Sequence, residues 1–201
     1  LKILKDKDLI YECWLSRLEA LKVLSAPHDY SKNNIIKDTD LLLSDSEIEK
    51  RKSNGANPAW RLRMKKCIEY AKLSGDDLDW EDVGYGKFKI ETDKFGDIVI
   101  ARKDIATSYH LAVTIDDHYD GVSHVTRGND LLPITQIHRL IQIILSLNKT
   151  KWFHHPIILD HNGNRLAKRN KSLSIKSFRE KGYSPDEILS LAKKELIKSK
   201  N

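Results

Sequence analysis

Leucines fall at positions 4, 9, 15, 18, 21 and 24 with charged residues between them. That spacing predicts one amphipathic helix over 1–24, stopped by Pro27. A polar stretch over 27–58 follows, rich in Asn, Asp, Ser and Lys. Inside it, Ser44 and Glu47 follow Leu41, Leu42 and Leu43 at the spacing of a capping box. They predict a helix that runs through Arg51 and ends at Asn54-Gly55. Trp60, Leu62 and Met64 alternate as a strand does, whereas Cys67, Ile68 and Ala71 have helical spacing. Residues 75–86 hold three Gly, four Asp and one Glu and read as loop.

From Phe95 the pattern turns to β-branched runs. Ile98 to Ala101, His110 to Ile115 and Val122 to Thr126 each read as a strand, with Asp120-Gly121 as a tight turn between the last two. Pro133 opens a helix on the stripe Ile134, Ile137, Leu140, Ile141, Ile144 and Leu145, and Asn148 ends it. Pro156 to Leu159 reads as a short buried strand, and Asn162-Gly163 as a turn. Ser174 to Lys181 predicts a short helix closed by Gly182. Ser184, Pro185 and Glu187 then start a last helix with the stripe Ile188, Leu189, Ala192, Leu196 and Ile197. Strands over 97–159 interleaved with a helix, followed by helices, make a mixed α/β chain whose sheet fits part of a nucleotide-binding fold.

Composition narrows the class. At 201 residues and 40% hydrophobic, the chain can fill a core, which excludes a disordered tail. Basic residues number 35 against 29 acidic, a net +6, which permits a polyanionic partner without requiring one. Cys13 and Cys67 are too few for a disulfide scaffold or a four-cysteine zinc site. No run approaches the ~20 apolar residues of a membrane helix, and no secretory signal is visible, so a cytoplasmic protein with reduced thiols is expected.

Three clusters carry candidate chemistry. Over Ser108 to Asp117, an apolar segment ends in the adjacent carboxylates Asp116 and Asp117. Ligands gather at the carboxyl ends of strands in α/β sheets; the alternative is a buried strand followed by a polar turn. Over His124 to Asp130, Arg127 stands at a strand end before Gly128. It is placed to clamp a carboxylate or phosphate, or it is a surface arginine before a loop. Over Asp160 to Asn170, Arg165, Lys168 and Arg169 put three cations within five positions. Such a loop neutralises phosphates, or is a solvated basic loop.

The order of these clusters resembles the glutamyl-tRNA synthetase group of class I aminoacyl-tRNA synthetases. That family has a YHLAVxxDD segment, a THVxRGxD segment, a helix and a KLSKR-type loop. Here they correspond to Tyr109 to Asp117, His124 to Asp130, Pro133 to Leu147, and Arg165-Leu166-Ala167-Lys168-Arg169. Gly96 to Lys103 is similar to the strand ahead of the substrate tyrosine, and Tyr11 to Arg17 to a YPCFCTR segment. The likeness is dense over 95–195 and weak over 26–75. Within the group the chain resembles the glutamyl-Q tRNA(Asp) synthetases, short paralogues that lack a large anticodon-binding region.

The resemblance implies a Rossmann-like catalytic domain in three parts. Residues 1–94 would be an inserted helical and loop segment, 95–160 the second half of the nucleotide-binding sheet, and 161–201 the signature loop and C-terminal helices. It implies a ligase that activates glutamate with ATP, accompanied by Mg2+, and attaches it to queuosine of tRNA(Asp). Tyr109 would hydrogen-bond glutamate, Arg127 pair with its carboxylate, and Lys168 stabilise ATP phosphates. The partners would be glutamate, ATP and tRNA, with no membrane, and the protein a monomer.

Three departures from the family stand out. No His-x-Gly-His signature is present, and the only methionine is Met64, so the chain reads as truncated at its N-terminus and inactive alone. Zinc is not expected, because Cys13 matches one family ligand while Leu15 replaces the next. The loop has Arg165 for Lys and Ala167 for Ser. Two other readings stay open: a fragment of a glutamyl-tRNA synthetase that charges the tRNA(Glu) 3′ end, and a non-catalytic RNA-binding paralogue.

Overall fold

The computed structural model describes residues 1–15, 19, 43–91, 95–159 and 174–198. The expected turn at Asn162-Gly163 and the basic loop lie outside them. The leading leucine stripe does not form one helix. Helix α1 (Lys2–Asp6) ends within two turns, and strand β1 (Ile10–Cys13) follows. The break is Asp8, whose φ of 51° is left-handed, a conformation Asp tolerates better than most residues. Ion pairs with Lys66 and Arg63 hold its side chain. Leu9, Ile10, Tyr11 and Cys13 are all buried, so the apolar run serves a strand covered on both sides.

Local signals fare better. Helix α2 (Asp45–Ser53) starts on the Ser44 capping box, with Glu47 N–H donating to Ser44 Oγ at 3.3 Å and Ser44 N–H to Glu47 Oε2 at 3.0 Å. Strand β2 (Ala59–Leu62) and helix α3 (Met64–Leu73) divide 59–73 as the spacing predicts. The acidic stretch expected to be loop instead forms a hairpin of β3 (Asp79–Asp82) and β4 (Gly86–Lys89). Trp80 stacks on Phe88 at 4.4 Å, a cross-strand pair that polar neighbours conceal in sequence.

Strand β5 (Val99–Ala101) matches expectation, but His110 to Ile115 is not a strand. It lies in helix α4 (Tyr109–Tyr119), which Ser108 precedes and Gly121, at φ 66°, follows. Val113, Thr114 and Ile115 favour a strand locally. Tertiary packing wins: Leu111 and Thr114 are buried three positions apart and Ile115 packs on the core. The Thr114 hydroxyl is satisfied within the helix, donating to the His110 carbonyl at 2.8 Å. Asp120-Gly121 is therefore a helix end and not a hairpin turn.

Strand β6 (His124–Gly128) leads through a 3-10 segment (Asn129–Ile134) that contains Pro133 into helix α5 (Thr135–Ile144). Strand β7 is Lys151–His155, so the paired strand precedes Pro156 rather than following it. Helices α6 (Ile175–Glu180) and α7 (Pro185–Lys198) begin on the expected serine caps, Ser174 and Ser184. Of the α7 stripe, Leu189 is exposed and Ile188 and Ala192 are half-buried, while the side chains of Leu196 and Ile197 lie outside the description.

The strands form two sheets. One has the order β1-β2-β5 and is antiparallel. The other has the order β4-β3-β7-β6, in which β3, β7 and β6 run parallel. Pairing crosses residues 94–95 in both sheets. Every residue of α5 is buried, with Ile137, Leu140, Ile141 and Ile144 at 0% exposure. Several of its buried polar groups are hydrogen-bonded: Arg139 donates to the Asp79 and Asp77 carbonyls at 3.0 and 3.1 Å, and Gln142 Nε2 to Thr150 Oγ1 at 3.0 Å. No helix among the described residues is long and apolar enough to cross a membrane.

Candidate active site

Parallel strands β3, β6 and β7 end on one edge, the side where α/β sheets hold ligands. The chain places Asp82 at the end of β3, Arg127 near the end of β6 and His154 near the end of β7. Arg127 pairs in register with His154, and Asp82 with Trp152. Thr135 and His138, on the first turn of α5, and His110, on α4, complete the group. The chain leaves β6 at Gly128, where an added Cβ would sit 2.6 Å from Asp130 Oδ1 and require that carboxylate to move.

The hydrogen bonds fix every protonation state in this cluster. Arg127 Nε donates to His154 Nε2 at 3.0 Å, Nη1 to His138 Nδ1 at 3.1 Å, and Nη2 to Thr135 Oγ1 at 2.6 Å. A guanidinium has only donors, so each of these partners accepts. His154 therefore carries its proton on Nδ1 and donates it to Asp82 Oδ2 at 2.6 Å. His138 carries its proton on Nε2 and donates to His110 Nδ1 at 3.1 Å. Asp82 is saturated: Oδ1 accepts from the N–H groups of Gly84 and Tyr85 at 2.8 and 2.9 Å, and Oδ2 also from His154 N–H at 3.0 Å.

The electrostatics agree with this assignment. Burial pushes His138 down to about 2, with Arg127, His110 and His154 adding to the shift. Burial, then Arg127, pushes His110 down to about 4. His154 is lowered by burial and Arg127, against the pull of Asp82. Burial opposes ionisation of Asp82, but hydrogen bonds from His154, Gly84 and Tyr85 outweigh it and hold the carboxyl below its usual range. The cluster thus holds one cation and one anion joined through a neutral imidazole. Burial lowers Arg127, and Tyr109, Asp117 and Asp130 oppose that effect; the guanidinium keeps its charge.

Tyr109 opens α4 and is half exposed, its ring 5.6 Å from that of His138. The structure thus brings the two expected amino-acid-binding residues, Tyr109 and Arg127, to one place. Asp116 and Asp117 lie on α4 rather than at a strand end, and burial raises the Asp117 carboxyl. Arg165, Leu166, Ala167, Lys168 and Arg169 lie outside the described residues. Asp82, His110, Thr135, His138 and His154 were not singled out by sequence. The available signals were the alternation of Trp152 and His154 in β7 and a histidine four residues after Ile134 on an apolar stripe. Among the described residues, no three His, Cys, Asp or Glu side chains are grouped to hold a metal ion.

Residues 9–197 match the family model of the class I tRNA synthetase (E and Q) catalytic domain. The chain belongs to that family. A glutamyl-Q tRNA(Asp) synthetase of Rhodobacter capsulatus is 33% identical over 191 residues, covering 94% of this chain and 68% of the relative. One of Nocardia farcinica is 32% identical over 188 residues, covering 94% and 56%. A glutamate–tRNA ligase of Aquifex aeolicus is 38% identical over 109 residues, 54% of this chain and 23% of the relative. The glutamate-tRNA synthetase structure of Elizabethkingia anophelis superposes with a TM-score of 0.58 at 21% identity, over 90% of this chain and 35% of that one. That likeness supports the class I synthetase fold, with the parallel strands β3, β7 and β6 as its sheet.

Proposed function

We propose that this chain carries the amino-acid-binding part of an ATP-dependent ligase that activates glutamate and transfers it to queuosine of tRNA(Asp). The observation that carries the reading is the setting of Arg127. Among the described residues, His154, His138 and Thr135 accept from it at 3.0, 3.1 and 2.6 Å, and all three are neutral, so none of them cancels its charge. A cation held this way at a sheet's carboxyl edge suits a substrate carboxylate. Tyr109 beside it would hydrogen-bond the same amino acid.

In the first step a glutamate carboxylate oxygen attacks the α-phosphorus of ATP. The bond to the β-phosphate oxygen breaks, and pyrophosphate leaves with the electron pair. In the second, an acceptor hydroxyl attacks the mixed anhydride and AMP leaves. Positioning and cations supply the catalysis. Lys168 of the signature loop would stabilise the phosphates, with Mg2+ arriving as part of the nucleotide substrate.

The names of the Rhodobacter and Nocardia relatives support the queuosine acceptor, whereas the Aquifex relative supports the tRNA(Glu) 3′ end. The test uses the full-length gene product, labelled glutamate, and tRNA(Asp) with and without queuosine beside tRNA(Glu). Label on queuosine-bearing tRNA(Asp) alone is expected. Label on tRNA(Glu) favours the synthetase that charges the tRNA(Glu) 3′ end, and tRNA binding without label favours a non-catalytic paralogue.

A further inference from the structure

We propose that Asp82 and His154 are positioning residues for Arg127, setting how tightly the amino-acid carboxylate is held without touching it. The proposal rests on the reading of Arg127 as the carboxylate-binding cation.

Arginine is long and loses substantial rotamer freedom when fixed, so a site that needs its guanidinium in one orientation must hold it. Here three of its five N–H groups point to side-chain acceptors, and Nη2 also lies 3.5 Å from the Leu131 carbonyl. The hold on Nε depends on His154 presenting a bare Nε2. His154 does so only while its proton sits on Nδ1, and the acceptor that keeps it there is Asp82 Oδ2 at 2.6 Å. In the other tautomer, Nε2–H would face Arg127 Nε–H, two donors at 3.0 Å.

Asp82 is built for this purpose. Its side chain and that of His154 are both 0% exposed, and its two oxygens accept four hydrogen bonds, which leave it no freedom to rotate. Its negative charge balances Arg127 from behind a neutral ring, so the Asp82 carboxylate itself does not occupy the guanidinium. The change Asp82→Asn is nearly isosteric, yet an amide cannot serve the same partners. With its oxygen toward Gly84 and Tyr85, its NH2 meets His154 and forces the wrong tautomer. Turned round, its NH2 meets two backbone donors. The same logic separates Asp from Asn beside a catalytic histidine in serine proteases.

The experiment compares the full-length gene product with Asp82→Asn, Arg127→Gln, His154→Gln and His154→Leu. The readouts are the 15N shifts of the His154 ring and the KM values for glutamate and ATP in glutamate-dependent pyrophosphate exchange. In Asp82→Asn, the His154 proton is expected to move to Nε2. Glutamate KM should rise about 10- to 150-fold, the cost of one hydrogen bond to a charged group, while ATP KM stays within about twofold.

Should Asp82→Asn fail to fold, the His154 pair decides. Gln keeps an acceptor toward Arg127 and Leu does not, so the proposal expects a glutamate KM at least about tenfold higher for Leu. Equal values for Gln and Leu would overturn it. So would a folded Asp82→Asn with an unchanged His154 tautomer and glutamate KM beside a strongly raised KM in Arg127→Gln. An unchanged glutamate KM in Arg127→Gln would overturn the assignment of Arg127, and the proposal with it.

Discussion

Lowering the pH from 7 to 5 should unfold this protein at markedly lower denaturant, and the buried histidines set the size of the effect. His138 is 3% exposed and its pKa is pushed down to about 2, while His110 is half-buried and pushed down to about 4. In the unfolded chain both return to an ordinary value near ~6.5. Their folded values lie lower, so between pH 7 and 5 the unfolded state takes up protons that the folded state refuses. Stability must therefore fall as pH falls. At pH 5 each such histidine favours the unfolded state by about 2 kcal/mol more than at pH 7. The pair together costs about 4 kcal/mol, a large share of the ~5–15 kcal/mol that holds a domain folded. His154, also lowered, acts in the same direction. Asp82, whose carboxyl is held low, loses its contribution only as pH falls through the carboxylate range. Asp117, whose carboxyl burial raises, has the opposite sign. The assay is urea unfolding followed by tryptophan fluorescence at pH 7, 6 and 5, since Trp80 and Trp152 are buried beside the cluster. His138→Gln keeps an acceptor and a donor without titrating, and should remove about 2 kcal/mol of the pH dependence. A stability that does not change between pH 7 and 5, or an equal slope in wild type and His138→Gln, would refute the reasoning.

Other consequences follow from the same packing. Leu140→Ala, at a fully buried position of α5, should cost about 2–5 kcal/mol in urea unfolding, whereas the exposed Leu189→Ala should change stability by less than about 0.5 kcal/mol. Burial, then Asp97, pushes the Cys67 thiol up to about 12, and it is fully buried, so maleimide should modify it only after unfolding. Arg127→Lys keeps a charge but cannot reach His154, His138 and Thr135 together, so glutamate KM should rise at least about tenfold with far less change in ATP KM.

What the sequence showed depended on how local the cause was. In each of the capping boxes at Ser44 and Ser184 the partner glutamate stands three residues on, Glu47 and Glu187, and both helices start where the spacing places them. Helix α5 was legible because its apolar stripe has a single period over three turns. Helix α4 was not, because Val113-Thr114-Ile115 favours a strand until Leu111, Thr114 and Ile115 meet the core. The hairpin β3–β4 was hidden by acidic residues whose partners are remote: Asp79 pairs with Lys149, and Asp82 with His154. The site divides the same way. Tyr109 and Arg127 were found through family resemblance, which carries roles along a motif. Asp82 and His154 stand 72 positions apart, and only the parallel pairing of β3 and β7 makes them neighbours.

The central claim is that Tyr109 and Arg127 form an amino-acid site in a glutamate-activating enzyme. Glutamate-dependent exchange of labelled pyrophosphate into ATP tests it most directly, with the full-length gene product beside Tyr109→Phe and Arg127→Gln. The account predicts exchange that requires glutamate, with glutamate KM raised about 10- to 150-fold in Arg127→Gln, raised less in Tyr109→Phe, and ATP KM little changed in either. Exchange absent in the wild type, or a glutamate KM that neither substitution alters, would contradict it.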